Sequence, residues 1–345
     1  MIGIVTPYGR GSTTSAAIRL ADVALARGAD VRLVAFGRRE SNVHPFWDSC
    51  VWSSKADGIY YAAKGCTQFV HFRVNKRLLE MTKLVAEDAG HILVPPWHSL
   101  TLEDGETCKL YDKIVCPSKV YNHFFREHIR DKDVSWCRWE SGLPPVKRDG
   151  LVNAGRVSAC FYCDSNTIDF CGPMVIELIS ELLKSLPKLD VGVLSAKSWG
   201  RRDRTELSRL KKVYNSRLGV CPVGNLFEQA THFHHYDWLV YPAVRTDFCM
   251  VPAMALSCGL PVIAHDLPPL DELLTNDHSG VLVGCEIKTG VVRAPLAVPC
   301  YGKWLDACLQ AFSDNRKLFS MQQKEWGLER AQWSFNEFWS KLLGV

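Results

Sequence analysis

The sequence predicts an α/β fold with two doubly wound parallel sheets, and three observations support this prediction. Short apolar runs alternate with helical patterns along the chain. These runs are mostly apolar instead of alternating apolar and polar residues, which is typical of strands buried on both faces. The alternation stops once, at WESGLPPVKRDGLVNAG (139–155), and then restarts. Because that stretch is rich in proline, glycine and charge, it indicates a linker between two domains.

In the first half, the strand IGIVTPY (2–8) precedes a helix whose apolar stripe ends at Gly28. Further predicted elements follow in order: strand 30–37, helix 75–90, strand 91–97, strand 111–118 and helix 119–129. In the second half the prediction is strand 156–164, helix 173–186, strand 190–196, helix 204–216, strand 218–224, helix 225–235 and strand 237–243. Next come a small-residue helix, a turn at Gly259-Leu260-Pro261 that ends it, and a short apolar strand. The strand 278–284 and two tryptophan-rich helices complete the chain.

These patterns predict domains at 1–147 and 148–325, with a helix over 326–345 that packs back on the first domain. A chain of 345 residues suits two cores better than one. Ligands of doubly wound sheets bind at the carboxyl ends of the strands, so we expect the site in a cleft between the two domains.

Composition excludes several classes of protein. No apolar run of 18 residues occurs, so no transmembrane helix is expected. The start lacks the charged and apolar regions of a signal peptide, and the 14 cysteines are scattered through predicted strands and helices. This pattern predicts reduced thiols and a cytoplasmic protein.

The charge of the chain is uneven along its length. Residues 1–150 carry 21 basic and 17 acidic residues, whereas the rest of the chain is balanced. The excess favours an anionic partner for the first half, such as a nucleic acid, and ordinary surface variation is the alternative.

The turn after the first strand, TPYGRGSTTSA, suits an anion. Gly9 and Gly11 allow close approach of a ligand, and Ser12 can cap the following helix. It matches neither G-x-G-x-x-G nor a P-loop, so a plain tight turn is the alternative.

Two further segments contain polar residues at or after predicted strand ends. His98 and Asp104 follow the strand HILVPPW and could serve as acid and base, although a solvated loop is the alternative for the carboxylate. Lys197 and Arg201 follow the second strand of the second half, where a pyrophosphate would lie, and a solvated helix entrance is the alternative.

A metal site is not expected. Cys160 and Cys163 form a single C-x-x-C without a second pair at suitable spacing, and the histidines at 232–235 have no matching run of ligands. No nucleophile elbow and no H-E-x-x-H motif occurs.

Three segments of the second half match one family pattern in order. TDFCMVPAMALSCGLPVIAHD (246–266) is similar to E-G-F-G-L-x-x-x-E-A-M-A-x-G-x-P-V-I-A, DWLVYPA (237–243) to aDvfvyPS, and DELLTNDHSGVLV (271–283) to E-L-I…G-x-L-V. The terminal AQWSFNEFWSKL and, in the first half, YDKIVCPSKV are also similar to segments of the family. On these motifs the chain resembles GT-B glycosyltransferases of the retaining, glycogen-synthase-like and mannosyltransferase-like group.

The resemblance implies two Rossmann-like domains and a site for a nucleotide sugar. By position, the residues expected to bind this donor are Val223, Thr246, Asp247, Phe248, Cys249, Met250 and Met254. The chain departs from the family where two glutamates are replaced by Thr246 and Met254, the second of which normally binds the donor ribose. Lys197 and Arg201 could supply the charge that binds the phosphates.

The implied activity is transfer of a sugar, from a UDP-sugar first of all, to a hydroxyl group. The resemblance implies a retaining, metal-independent reaction with no cofactor besides the nucleotide sugar, in which His98 contacts the sugar. Size and charge also resemble viral DNA glycosyltransferases that act on hydroxymethylated pyrimidines in the host cytoplasm. In that case double-stranded DNA would meet Arg73, Lys76 and Arg77 in FRVNKR. The alternatives are a polysaccharide or surface-glycan transferase and a non-catalytic nucleotide-sugar-binding protein.

Overall fold

The computed structural model describes residues 1–7, 12–36, 51–53, 56–96, 100, 104–137, 155–163, 171–195, 201–222, 231–246, 248–276, 278–288, 295–314, 318 and 320. Contacts between Cα atoms divide the chain into two units, each built on one parallel sheet. Two doubly wound parallel sheets are therefore confirmed. The predicted domain boundary at 147/148 and the predicted helix at 326–345 lie outside the described residues.

The first unit contains a parallel sheet with the strand order β3-β2-β1-β4-β5-β6-β7. Its strands are β1 Ile2–Pro7, β2 Val31–Phe36, β3 Val51–Ser53, β4 Gln68–His71, β5 Gly90–Leu93, β6 Lys113–Cys116 and β7 Asp133–Trp136. Its helices are α1 Ser12–Ala26, α2 Ala56–Ala63, α3 Lys76–Val85, α4 Asp104–Cys108 and α5 Lys119–His128. The order reverses between β1 and β4, which is where such sheets bind ligands.

The second unit repeats this order with β10-β9-β8-β11-β12-β13. Its strands are β8 Val157–Tyr162, β9 Leu189–Ser195, β10 Leu218–Pro222, β11 Trp238–Tyr241, β12 Val262–His265 and β13 Gly280–Val283, followed by the antiparallel hairpin β14 Glu286–Lys288 and β15 Leu296–Val298. Its helices are α6 Gly172–Ser185, α7 Arg201–Val213, α8 Met250–Ser257, α9 Leu270–Leu273 and α10 Tyr301–Ser313. The order reverses between β8 and β11.

Several short elements have no counterpart in the sequence prediction. These are β3, β4, β7, α2, α4 and the β14–β15 hairpin. Pairing with the neighbouring strands β2, β1 and β6 identifies β3, β4 and β7 as strands.

In each sheet an aspartate at the start of one strand accepts hydrogen bonds from the neighbouring strand, and Asp237 is buried whereas Asp112 is exposed. The Asp237 carboxylate, just before β11, accepts hydrogen bonds from the backbone N–H (2.8 Å) and the hydroxyl (2.7 Å) of Ser158 on β8. The Asp112 carboxylate, just before β6, accepts from the backbone N–H of His91 on β5 (2.6 Å). Both aspartates occupy the aspartate position of the family's strand motif, so this position aligns neighbouring strands.

Two glycines of the second sheet are required by close packing. A Cβ at Gly192 would overlap the Tyr236 hydroxyl, and a Cβ at Gly280 would overlap the Val262 carbonyl oxygen of the neighbouring strand. Gly280 is the glycine of the motif similar to G-x-L-V, so its place in that pattern reflects strand packing.

The first sheet contains a buried pair of histidines. His71 Nε2 lies 3.2 Å from His91 Nδ1, so one ring nitrogen donates to the other. The Phe69 ring stacks on His91 and the Tyr111 ring meets His71 edge-on. Burial lowers the pKa of His91 to about 4 and lowers the pKa of His71 well below its ordinary value, with nearby Lys83 acting in the same direction.

This pair predicts acid sensitivity of the first unit. Because the folded-state pKa of His91 lies below its unfolded value, the unfolded chain binds more protons between those two values, and the free energy of unfolding falls as the pH decreases. The loss from His91 alone is on the order of 3 kcal/mol between about pH 7 and about pH 4. His91→Gln should show a smaller fall in the urea midpoint over this range.

His123→Gln is the matched control, because His123 lies on the exposed face of α5 beside Glu127. It should keep the full wild-type dependence on pH. Parallel curves for wild type and His91→Gln would contradict the assignment.

Candidate functional site

The segment between β11 and α8 lies at the carboxyl end of a strand beside the switch point of the second sheet. We call residues 242–249 the β11–α8 loop. The strand-end rings of Tyr162 on β8 and Tyr241 on β11 stack with centroids 5.9 Å apart and lie immediately before this edge of the sheet. The loop therefore occupies the position where doubly wound sheets bind ligands.

Two consecutive carbonyl oxygens of this loop accept hydrogen bonds from residues on other strands. His265 Nδ1 lies 2.9 Å from the Ala243 carbonyl oxygen, and the backbone N–H of Ala297 on β15 donates to the Val244 carbonyl oxygen at 2.8 Å. The Val244 side chain also packs in a buried cluster with Leu267 and Ala297. The first half of the loop is thus attached to β12 and to the hairpin.

The second half of the loop turns sharply into α8. Cys249, the residue before the helix, has φ 48° and ψ 32°, in the left-handed region that favours glycine. The Thr246 hydroxyl donates a hydrogen bond to the Cys249 Sγ at 3.9 Å. The Cys249 carbonyl oxygen accepts the first helical hydrogen bond, from the backbone N–H of Ala253, at 2.9 Å. Cys249 stands where the related motif has glycine, which is the residue that the left-handed region favours.

The helix α8 is buried from Met250 to Leu256 and packs against β11 and β12. It ends as the sequence predicts. Gly259 has φ 70°, its N–H donates to the Leu256 carbonyl, and the Leu260 N–H donates to the Ala255 carbonyl. This is the Schellman arrangement, and it directs Pro261 into β12. A helix start at a sheet edge carries partial positive charge and favours an anion.

The structure brings Thr246, Phe248, Cys249, Met250 and Met254 together in this segment. Phe248, Cys249, Met250 and Met254 are buried, with Met254 only 1% exposed, whereas Thr246 is half-buried. Arg201 begins α7, the helix after β9 in the same sheet, and Ser12 begins α1 after β1 in the first. Six predicted site residues lie outside the described residues: Gly9, Gly11, His98, Lys197, Val223 and Asp247.

The remaining predicted residues lie in the first unit. Arg73, Lys76 and Arg77 are exposed, between the carboxyl end of β4 and the first turn of α3. They therefore form a basic group beside the β1–β4 switch point. Asp104 is the first residue of α4, and its charge raises the pKa of Cys108 on the same helix, an effect smaller than that of burial.

His265 is the residue of this region that sequence reasoning missed. It is fully buried at the end of β12. His98 was selected because it follows the end of a predicted strand. The same criterion would have selected His265, which is the last residue of β12.

Two observations concern metal binding, and one concerns membrane crossing. Among the described residues no group of three or more His, Cys, Asp or Glu side chains could hold a metal ion. Cys160 and Cys163 are three residues apart along extended chain, so their side chains point to opposite faces of the sheet.

In the part of the chain that the structure describes, no helix is long and apolar enough to cross a bilayer.

Comparison with solved structures identifies the architecture. Sucrose-phosphate synthase from Thermosynechococcus elongatus superposes with a TM-score of 0.70 at 13% identity, over 99% of this chain and 96% of that one. HepE of Anabaena, in complex with UDP and glucose, superposes with a TM-score of 0.70 at 9% identity, over 100% of this chain and 99% of that one. The chain has the GT-B fold.

Comparison of sequences gives a family match that lies mostly in the second unit. Residues 166–294, which include the β11–α8 loop, match the family model of group 1 glycosyl transferases. D-inositol 3-phosphate glycosyltransferase of Streptomyces bingchenggensis is 30% identical over 159 residues. That match covers 43% of this chain, and the chain spans 32% of the relative's length.

The backbone at Cys249 generates a stability prediction. Cys249→Val places a β-branched side chain in the left-handed region and should lower the free energy of unfolding by about 2 kcal/mol or more. Cys249→Gly relieves the backbone but loses a buried side chain and gains unfolded-state entropy, so it should stay within about 1 kcal/mol of wild type. Urea denaturation measures both.

Cys258→Val is the matched control. Cys258 is buried at the other end of α8 with an ordinary φ of −83°. It should cost less than Cys249→Val, and equal losses at the two positions would show that the left-handed backbone at residue 249 is not strained.

Proposed function

We propose that the protein is a glycosyltransferase that moves a sugar from a nucleoside-diphosphate sugar to an acceptor hydroxyl, with a UDP-sugar as the first donor to test. The observation that carries this proposal is the β11–α8 loop. It lies beside the switch point of the second sheet, leads into a helix start, and falls within the segment that matches group 1 glycosyl transferases. HepE, which shares the fold, is a complex with UDP and glucose.

In this proposal the donor lies against the second unit. Backbone groups from Thr246 to Met250 and the start of α8 bind the diphosphate, and Lys197 and Arg201 neutralise its charge. Charge that develops on the departing nucleoside diphosphate is stabilised by the same groups, so no metal ion is required and the nucleotide sugar is the only cosubstrate. His98 contacts the transferred sugar, and Asp104 is the candidate base.

The first unit would bind the acceptor, and its exposed group at Arg73, Lys76 and Arg77 favours an anionic one. A surface glycan or another phosphorylated or acidic hydroxyl compound is the leading class. The hydroxymethylated DNA acceptor finds no support in the proteins compared above and ranks behind it. The cytoplasmic location stays a prediction from the thiols.

A donor panel tests the activity. UDP- and GDP-sugars are incubated with the protein and acceptor candidates, with and without hydroxymethylated duplex DNA, and released nucleotide is measured. UDP release from a UDP-sugar is expected, and it should persist in EDTA. Binding of UDP without turnover of any donor would favour a non-catalytic binding protein, and no response to any nucleotide would refute the proposal. NMR of the product's anomeric proton tests retention.

Met254 provides a test of donor geometry. A glutamate at this nearly inaccessible position is poorly solvated, so Met254→Glu should lose about 3 kcal/mol or more of unfolding free energy without ligand. If the side chain faces the ribose, the ribose hydroxyls donate to the new carboxylate, and UDP should raise the melting temperature of Met254→Glu more than that of wild type.

Met254→Leu is the control, because it keeps an apolar side chain of similar volume and should lose less than about 1.5 kcal/mol. Its response to UDP should equal that of wild type. An equal UDP response in the glutamate and leucine variants would show that residue 254 does not face the nucleotide.

A further inference from the structure

His265 joins the β11–α8 loop to the helix α10. Its Nδ1 lies 2.9 Å from the Ala243 carbonyl oxygen, and its Nε2 lies 2.8 Å from Trp304 Nε1 on α10. The two rings meet edge-on at 80° with centroids 4.8 Å apart, and both residues are completely buried. The three residues come from separate parts of the chain, so the contact depends on tertiary structure alone.

The chemistry of the partners decides the protonation state. An indole N–H can only donate and a carbonyl oxygen can only accept. His265 Nε2 must therefore accept from Trp304, which leaves the proton on Nδ1 for donation to Ala243. This arrangement requires the neutral imidazole, and burial lowers the pKa of His265 in agreement with it.

The bond to Ala243 determines the path of the loop. Ala243 follows β11 by two residues, and the Val244 carbonyl is held separately by Ala297. From these two anchors the chain continues to Thr246 and to the left-handed turn at Cys249. Without the imidazole, a buried carbonyl would lack its hydrogen bond, and the loop would be free to shift toward another donor or toward water.

We propose that His265 is a positioning residue for the donor site, which holds the β11–α8 loop in its binding conformation through Ala243 and is itself held by Trp304. This inference rests on the proposed function, because it assigns nucleotide binding to that loop. His265 touches neither donor nor acceptor. Its loss should weaken donor binding and leave the KM for the acceptor unchanged.

Four variants separate positioning from packing. His265→Phe keeps a ring but removes both hydrogen bonds. His265→Asn places an amide N–H near the position of Nδ1. It can therefore keep the hydrogen bond to the Ala243 carbonyl, but it loses the hydrogen bond from the Trp304 indole. Trp304→Phe removes the indole donor alone. His91→Phe is the matched control, since it replaces a buried histidine of the other sheet.

The readouts are the dissociation constant of UDP by calorimetry, the KM of donor and acceptor, and the melting temperature. Loss of one buried hydrogen bond corresponds to roughly a ten-fold weakening, so His265→Phe should weaken UDP binding about ten-fold or more. His265→Asn and Trp304→Phe should stay within about three-fold of wild type, because the bond to Ala243 remains. His91→Phe should lower the melting temperature without changing UDP binding.

Different results would contradict the role of His265 and the proposed function. If His265→Phe binds UDP like wild type, or if His91→Phe weakens UDP binding to the same degree, His265 is only a packed core residue and the inference is overturned. If wild-type protein binds no nucleotide, the proposed function fails, and this inference fails with it.

A measurement on the wild-type chain covers the case in which His265→Phe does not fold. By linkage, a contact that favours UDP binding must be stabilised by UDP in return. Hydrogen exchange of the Trp304 indole N–H, assigned from its absence in Trp304→Phe, should slow when UDP is added. An unchanged exchange rate in the presence of bound UDP would overturn the inference.

Discussion

A buried carbonyl must be hydrogen-bonded, and the loop after β11 has two such carbonyls in succession. Sheet pairing cannot supply both partners, because the chain leaves the strand direction at this point. The protein supplies them from two other elements, the imidazole of His265 on β12 and the N–H of Ala297 on β15. The turn at Cys249, the entry into α8 and the proposed donor site come directly after these two held carbonyls in the chain.

In both sheets an aspartate side chain also aligns neighbouring strands, and the aspartate of the second sheet, Asp237, is buried. Asp237 bonds to Ser158 across β11 and β8, and Asp112 bonds to His91 across β6 and β5. The two aspartates belong to motifs that resemble one another in the two halves of the chain. Their carboxylates accept backbone hydrogen bonds inside the sheet, which indicates alignment of strands and not chemistry at a ligand site. Function in this fold belongs to the loops at the opposite, carboxyl ends of the strands.

Much of the architecture was predictable because its causes are local. The alternation of apolar runs and helical stripes predicted the two parallel sheets, and Gly259 with Pro261 predicted the end of α8. The Schellman bonds of Gly259 and Leu260 involve only the preceding turns of the same helix. The strands β3, β4 and β7 were not predicted, and only their pairing with β2, β1 and β6 identifies them.

By itself, then, the sequence determined the fold class, the strand–helix order of most of the chain and the family resemblance of the β11–α8 segment, because these depend on periodicity and on motifs within a few turns. Only the tertiary structure decided that His265 lies between Ala243 and Trp304, that Cys249 adopts the left-handed conformation and that Met254 is inaccessible. The contacts of His265 and the burial of Met254 involve residues that are distant in the chain, so they exist only after β12 pairs with β11 and the helices pack against the sheet. The conformation of Cys249 is local, but a cysteine does not indicate the left-handed region in a sequence.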